Sequence, residues 1–380
     1  MIKSNYQELA LQLHKKLHGK IVSQSKIVVK DEEDLSLVYT PGVGAVSSLL
    51  ANKPELASQY TIKNNTVAVI SDGSAVLGLG NIGPYGALPV MEGKAMLFSQ
   101  LGGLNAFPIV LNTQEPEEII QTIINIAPVF SAINLEDIAA PQCFEIEKRL
   151  QATLDIPVVH DDQHATAIVV LAGLINSLKV VGKQAQASRV VLLGAGAAGV
   201  GVAKLLISYG FKDIIVVDST GIIDTTRTDL TPEKRALSQA TNTHHLSGNL
   251  EDAVKGADIF IGLSTGGKLP PSYIKSMNTK PIIFALANPE PEILPNDALK
   301  AGAAVVASGR SDFVNQINNV LVFPGLFKGL INHSITELND TIKLKAAQAL
   351  ADVVSNPMSE IVIPSVFDSK VVEAIAQNIG

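Results

Sequence analysis

The stretch from Arg189 to Asp218 constrains this chain more than any other. "RVVLL" (189–193) is a short β-branched apolar run and reads as a buried strand. It feeds a loop in which Gly194, Gly196 and Gly199 are spaced Gly-x-Gly-x-x-Gly, with Ala197 and Ala198 between the last two. "VGVAKLLISYG" follows, apolar at helical spacing, and stops at Gly210; "DIIVVD" is the next strand and ends in Asp218. A helix that starts at such a loop points its free N–H groups and dipole at a pyrophosphate. An acid about 20 positions on accepts from the ribose hydroxyls. Gly194, Gly196, Ala197, Ala198, Gly199 and Asp218 are therefore candidate cofactor contacts.

The alternation continues beyond Asp218. "TPEKRALSQA" reads as a helix, "ADIFIG" and "PIIFALAN" as strands, "PNDALKAG" as a capped helix and "AAVVAS" as a further strand. Such alternation implies an α/β fold with a parallel, doubly wound sheet, here from about Asp161 to Asn318. The first 160 residues alternate less regularly. "TVAVISD", "AFPIVL" and "SAINLED" are strand-like; "MEGKAMLFSQLGG" and "APQCFEIEKRL" are helix-like, the latter with Pro141 at its first position. After "NNVLVFPGLFKG", read as a linker, the tail from Asn339 is helical. It has no strand of its own and is expected to return to the first domain.

A second Gly-x-Gly-x-x-Gly spans Gly78 to Gly83. Pro84, Tyr85 and Gly86 follow it, and no helix pattern is expected before about Val90, because Gly86 and Pro89 would break a first turn. This loop reads as a tight turn needing backbone freedom, not as a pyrophosphate cradle.

The net charge of −7 makes the chain a poor binder of phosphate backbones, so no nucleic-acid partner is expected. Its one cysteine, Cys143, forms no internal disulfide and reads as a small buried hydrophobe in a reducing compartment. "MIKSNYQELALQLHKKLHGK" reads as an amphipathic helix and not a signal peptide. The run "ATAIVVLAGLINSLKVV" is interrupted by Thr166, Asn176, Ser177 and Lys179, and reads as too short to span a bilayer. A cytoplasmic protein without a membrane partner is the expectation.

Two acidic pairs follow apolar strands: Glu136–Asp137 and Asp161–Asp162. Ligands of open α/β sheets bind outside the carboxyl ends of the strands. Neighbouring residues within a strand point to opposite faces, so Glu136 and Asp137 share one ion only if the strand has ended and the backbone turns there. An all-oxygen set suits a hard cation, Mg2+ or Mn2+. Exposed acids at strand ends are the plain alternative. His160 and His164 flank the second pair, yet no third His or Cys accompanies them at a zinc-like spacing. Lys94 stands in an apolar helix start; it is either a snorkelling lysine or, buried near a metal, a base of lowered pKa. Asn288 ends a strand, and Asn318–Asn319 open the segment that leads to the tail.

Eight motifs in order, "YTPGVG", "DGSAVLGLGNIGP", "PVMEGKA", "NLEDIAAP", "HDDQHATA", "GAGAAGVG", "ALANP" and "NNVLVFPG", resemble the malic enzyme family in its short bacterial form, over nearly the whole chain. The resemblance implies a substrate domain, residues 1–160 with the tail 319–380 packed back on it, and a Rossmann-like NAD(P)-binding domain, residues 161–318. It implies oxidative decarboxylation of (S)-malate to pyruvate and CO2 with NAD or NADP and a divalent metal. By motif, Glu136, Asp137 and Asp162 are the metal ligands, with Asp161 in support. Tyr39 and Lys94 are the acid–base pair. Asn288, also a cofactor contact, joins Asn319 and the Gly78 loop in holding substrate. Asp218 followed by uncharged Ser219 and Thr220 favours NAD, while Arg227 keeps NADP open. A homodimer is implied, with Tyr39 reaching across subunits. The alternative on the same scaffold is a soluble oxaloacetate decarboxylase.

Overall fold

In a computed structural model of the chain, residues 2–76 and 78–380 are described; Leu77 of the first glycine loop lies outside the described residues. Four helices come first: α1 (Ile2–Leu17), α2 (Glu32–Val38), α3 (Val43–Asn52) and α4 (Ala57–Tyr60). A βα alternation follows: β1 (Thr66–Ser71), α5 (Gly83–Gly102), β2 (Asn105–Val110), α6 (Pro116–Ile126), β3 (Ala132–Leu135), α7 (Gln142–Thr153) and β4 (Val158–His160). These strands form a four-stranded parallel sheet of order β2-β1-β3-β4.

The second sheet begins after α8 (Asp161–Val181). Its elements are β5 (Arg189–Leu193), α9 (Ala197–Tyr209), β6 (Asp213–Asp218), β7 (Gly221–Ile222), α10 (Pro232–Ala240), α11 (Leu250–Val254), β8 (Ile259–Gly262), α12 (Pro271–Lys275), β9 (Ile282–Ala285), α13 (Pro295–Lys300) and β10 (Val305–Ser308). The strand order is β10-β9-β8-β5-β6-β7, parallel except for the two-residue edge strand β7, which turns back on β6. The order reverses between β5 and β8, which is where such sheets open a ligand crevice. The interior strands are buried apart from the ends of β5 and β6, as a sheet covered by helices on both faces requires.

Three expectations need correction. The first glycine loop does lead directly into a helix: α5 starts at Gly83. Pro84 occupies its first turn, where no N–H is needed, and Gly86 leaves room for the Ile82 side chain, whose Cδ1 lies 2.8 Å from where a Cβ would stand. The segment read as a linker is a helix, α14 (Phe323–Asn332), which buries Phe323, Leu326, Phe327 and Leu330 at helical spacing. The apolar run after Asp162 belongs to a helix of 21 residues, long and apolar enough to cross a membrane by length and composition. Its most apolar window is 78% buried inside the fold, so that composition serves a core.

The tail completes the fold with α15 (Asp340–Asp352) and α16 (Lys370–Asn378). Helix α14 packs on α5, where Phe98 meets the rings of Phe323 and Phe327 at 4.7 and 5.1 Å between centroids. Helix α15 packs on α8 and α9. Asn176 of α8 donates to the carbonyls of Ala351 and Val362 and so satisfies two buried acceptors of the tail.

Residues 6–65 contrast with all of this. From residue 6 to residue 65 none is buried, although Tyr6, Leu11, Val22, Val28, Leu37 and Tyr39 are all large and apolar.

Candidate active site

Strand β3 stops at Leu135 and β4 stops at His160, and those two residues are paired in register. The residues that follow therefore emerge side by side at the carboxyl edge of the sheet. Asp137 has φ +54°, so the backbone has left the strand and turned. That turn lets Glu136 and Asp137 face one point. Asp162, in the first turn of α8, accepts from the Asp137 backbone N–H at 3.0 Å through Oδ2. One carboxylate oxygen from each of Glu136, Asp137 and Asp162 lies within 4.8 Å of the others; it is the one such three-residue group among the described residues. Glu136 and Asp137 are buried and Asp162 is half-buried.

Lys94, on α5, enters this acidic ground from the side. Its Nζ donates to Asp161 Oδ2 at 2.5 Å and to Glu136 Oε1 at 3.0 Å. The ring of Phe323 lies under the ammonium, 4.0 Å away at its centroid. Lys94 is therefore no snorkelling lysine. Burial pulls the ammonium down, but Asp161, Glu136 and Asp162 outweigh it and hold the pKa above the usual lysine range; the lowering expected beside a metal belongs to the cluster with an ion between those acids. The acids shift in turn. Burial, reinforced by Asp161, pushes the Asp162 carboxyl up to about 6 against the pull of Lys94. Burial also raises Asp161 to about 6, and Lys94 opposes it.

Asn319 completes the ring from the far end of the chain, its side-chain N–H2 donating to Asp161 Oδ2. Asp161 thus accepts from Lys94 and Asn319 at once. Two participants were missed in the sequence. Asn134 donates to Glu136 Oε2 at 2.9 Å; it sits two positions earlier, and the period-2 alternation of a strand puts it on the same face. Phe323 fell inside the misread linker. The neighbouring histidines differ: the His160 ring lies 3.5 Å from Asp162 Oδ2, while His164 faces away to Glu147. His164 pairs with buried Glu147 at 2.9 Å, and Glu147 also accepts the His160 backbone N–H at 2.7 Å, fixing the start of α8. Burial brings His160 down to about 4. Cys143 is buried, and burial pushes its thiol up to about 12.

The first glycine loop lies along this cluster. Ala75 donates to the Asp137 carbonyl at 2.9 Å, and Ser74 Oγ accepts from Ala139 N–H at 2.9 Å. Gly78, at φ +75°, abuts the Asn288 carbonyl, so this pair of candidates, one from each sheet's loops, is brought together. Tyr39 stands apart: it caps α2 and is 66% exposed.

At the second sheet the glycine fingerprint is built as its chemistry requires. Gly194 turns at φ +117°, and a Cβ on Gly199 would meet the Gly194 carbonyl at 2.0 Å. A Cβ on Gly196, the residue before α9, would face open space, the approach left for a ligand. The adjoining cavity measures about 830 Å3 and is walled by Gly194, Gly196, Asp218, Lys234, Ser264 and Thr265, among others. Ala197 and Ala198 open α9. Asp218 is already engaged: Arg227 donates to it at 2.8 and 3.2 Å and Lys234 at 2.7 Å. Lys234, which lines this cavity, was missed in the sequence because it lies on the following helix, well past Ser219 and Thr220.

Comparison with known proteins identifies the family. Residues 18–151 match the malic enzyme N-terminal domain, and residues 163–380 match the malic enzyme NAD-binding domain. The chain is 54% identical to an NAD-dependent malic enzyme of Geobacillus stearothermophilus, over 94% of this chain and 75% of that protein. It is 42% identical to an NADP-dependent malic enzyme of Halomonas elongata, over 94% of this chain and 84% of that one. The crystal structure of an NAD-dependent malic enzyme from Thermotoga maritima superposes with a TM-score of 0.95 at 48% identity, covering 97% of this chain and 98% of that one.

Proposed function

This chain belongs to the malic enzyme family, and from that premise we propose that it oxidises and decarboxylates (S)-malate to pyruvate and CO2 at the Lys94 cluster, reducing NAD or NADP. The observation that carries the reading is Lys94 itself, an ammonium buried between Glu136 and Asp161 beside three converging carboxylates. Isolated buried charge is costly, and a fold keeps such a cluster where chemistry uses it.

The donor set fits a divalent ion, Mg2+ or Mn2+: three carboxylates from two strand ends, all hard oxygen donors within one ion's reach. Such an ion, when bound, would supply positive charge that acidifies the substrate hydroxyl and opposes the ammonium form of Lys94. Lys94 accepts the proton of the C2 hydroxyl as hydride leaves for the nicotinamide. Asp161 and Asn319 keep the lysine in register. Asn288 and Asn319 hold the substrate's carboxylates, and the backbone of the Gly78 loop closes against them. Tyr39 returns a proton to C3 once CO2 has gone.

In this reading residues 1–160 with the tail 319–380 carry most of the substrate site and residues 161–318 carry the nucleotide, while Asp161, Asp162 and Asn288 reach across to the substrate side and α15 of the tail packs on α8 and α9. Asp218 at the ribose position favours NAD, and Arg227 and Lys234, both paired with Asp218, keep NADP open. The residue 6–65 arm covers its apolar side chains on a second copy of the chain, giving a homodimer, and Tyr39 on that arm enters a site only when the arm is docked. The single buried cysteine suits a cytoplasmic setting.

The test is the initial rate of NAD or NADP reduction on malate with Mn2+, set beside oxaloacetate consumption without nucleotide. Malate-dependent reduction that needs the metal is expected. Oxaloacetate decarboxylation with no nicotinamide reduction would overturn the reading in favour of a decarboxylase.

A further inference from the structure

Glu292 is fully buried and lies outside the acidic cluster. Its carboxylate is pinned by backbone alone: Oε1 accepts from Ser264 N–H and Oε2 from Ala287 N–H, each at 3.1 Å. Ser264 follows β8 and walls the nucleotide cavity. Ala287 follows β9 and directly precedes Asn288. The loops are stitched further by Gly267 N–H to the Pro291 carbonyl at 3.1 Å and Leu269 N–H to the Glu292 carbonyl at 3.0 Å. Gly262, at the end of β8, leaves the space this carboxylate fills; a Cβ there would stand 2.3 Å from Glu292 Cδ.

We propose that Glu292 is a positioning residue: its carboxylate bridges the ends of two neighbouring strands and fixes the nucleotide wall at Ser264 in register with the substrate contact at Asn288. A buried acid without a cationic partner is an expensive way to fill space, and an apolar side chain would fill it at lower cost. What only an acid offers is two acceptor oxygens for two N–H donors on different strands. Glutamine has the same shape but sets an amide N–H2 against one of those donors. Removing one acceptor frees one loop, so both ligands lose a preorganised contact.

The substrate half of this inference rests on the proposed malate oxidation; the nucleotide half does not. The test compares wild type with Glu292→Gln, Glu292→Asp and Gly262→Ala, measuring malate KM, kcat and NADH binding by nucleotide fluorescence. Glu292→Gln is expected to raise both the NADH Kd and the malate KM about tenfold, the effect of one unsatisfied buried donor. Glu292→Asp, which keeps the charge but shortens the reach, should fall between. Gly262→Ala, which displaces the same carboxylate, should act in the same direction, and the double variant should not exceed the worse single one. A filler role would lower the melting temperature and the active fraction, with KM and Kd of the surviving enzyme unchanged; that outcome, or values within twofold of wild type, overturns the proposal. If Glu292→Gln does not fold, Gly262→Ala decides alone by the same criteria, and if that too does not fold, Glu292→Asp does. If the wild type binds NADH but does not oxidise malate, the functional reading fails, and the NADH Kd still tests Glu292.

Discussion

The backbone carbonyl of Asn288 lies 2.9 Å from where a Cβ on Gly78 would stand. The two residues are 210 positions apart in the chain and come from the loops of different sheets. Gly78 also has φ +75°, which L side chains rarely adopt. Gly78→Ala therefore strains the loop twice, by conformation and by contact with Asn288. Malate kcat/KM should fall at least tenfold, about 1.4 kcal/mol. Nucleotide affinity should fall less than malate kcat/KM, because the cavity wall from Gly194 to Thr265 is untouched and only the Asn288 backbone is pressed. Steady-state kinetics with NADH titration separate the two effects, and unchanged kcat/KM would remove this loop from the site.

Lys94→Met keeps the length of the side chain and removes its charge. It takes away the proton acceptor and leaves Asp161 and Glu136 without their cation. We expect turnover to fall by about 10^2 to 10^4, the range for losing a positioned acid–base group, with NADH affinity retained. Near-normal kcat in single-turnover measurements would exclude Lys94 from the chemistry.

Removal of metal tests the carboxylate set. EDTA should abolish malate-dependent reduction, and Mn2+ should restore it. Asp162→Ala takes one of three oxygen donors away and should raise the Mn2+ concentration for half-maximal rate by at least tenfold, while Arg227→Ala at the nucleotide end should not. Equal Mn2+ dependence in Asp162→Ala and wild type would place the ion elsewhere.

Much of this was readable from residue order. The unit from Arg189 to Asp218 announced itself because each part has its own signal: a β-branched run, glycines at fixed spacing, a helical period and a terminal acid. The carboxylates were readable as pairs at strand ends, and the turn at Asp137 is the condition their convergence needed. What escaped was long-range. Asn134 is an ordinary polar residue until β3 places it beside Glu136. Lys234 reaches Asp218 from the next helix, and the upward shift of Lys94 depends on how many acids surround it. The segment 323–332 was misread because two glycines and a proline masked a helical period of four apolar residues. The start of α5 was misread for the same cause, since Pro84 and Gly86 suit a first turn as well as a loop.

The arm from residue 6 to residue 65 buries none of its residues and exposes Val22 at 88% and Leu37 at 74%. An apolar surface of this extent is what the proposed contact with a second copy would cover. Leu37→Asp should shift the chain from dimer to monomer in sedimentation velocity and lose activity with it, since Tyr39 lies two residues on. A wild-type chain that sediments as a monomer, or a monomeric Leu37→Asp variant of full activity, would sever the link between assembly and the site.

Asp218 offers a pH test distant from the cluster. Burial alone would raise its carboxyl, but Arg227 and Lys234 hold it down at about 2, below its ordinary value of 3.8. A carboxyl whose pKa is lower in the folded state favours folding while it is ionised in both states. That contribution is full above the unfolded pKa and drains away as pH falls from about 4 toward 2. Asp218→Asn removes it at every pH and takes the carboxylate from Lys234, while Arg227 keeps Asp229 at 2.6 Å. The difference in unfolding free energy between wild type and Asp218→Asn, from urea titrations, should be constant from pH 7 to pH 5 and should shrink below pH 4. A difference that already shrinks near pH 6 would mean that another group carries the effect. No difference at any pH would mean that solvent screens the three charges fully.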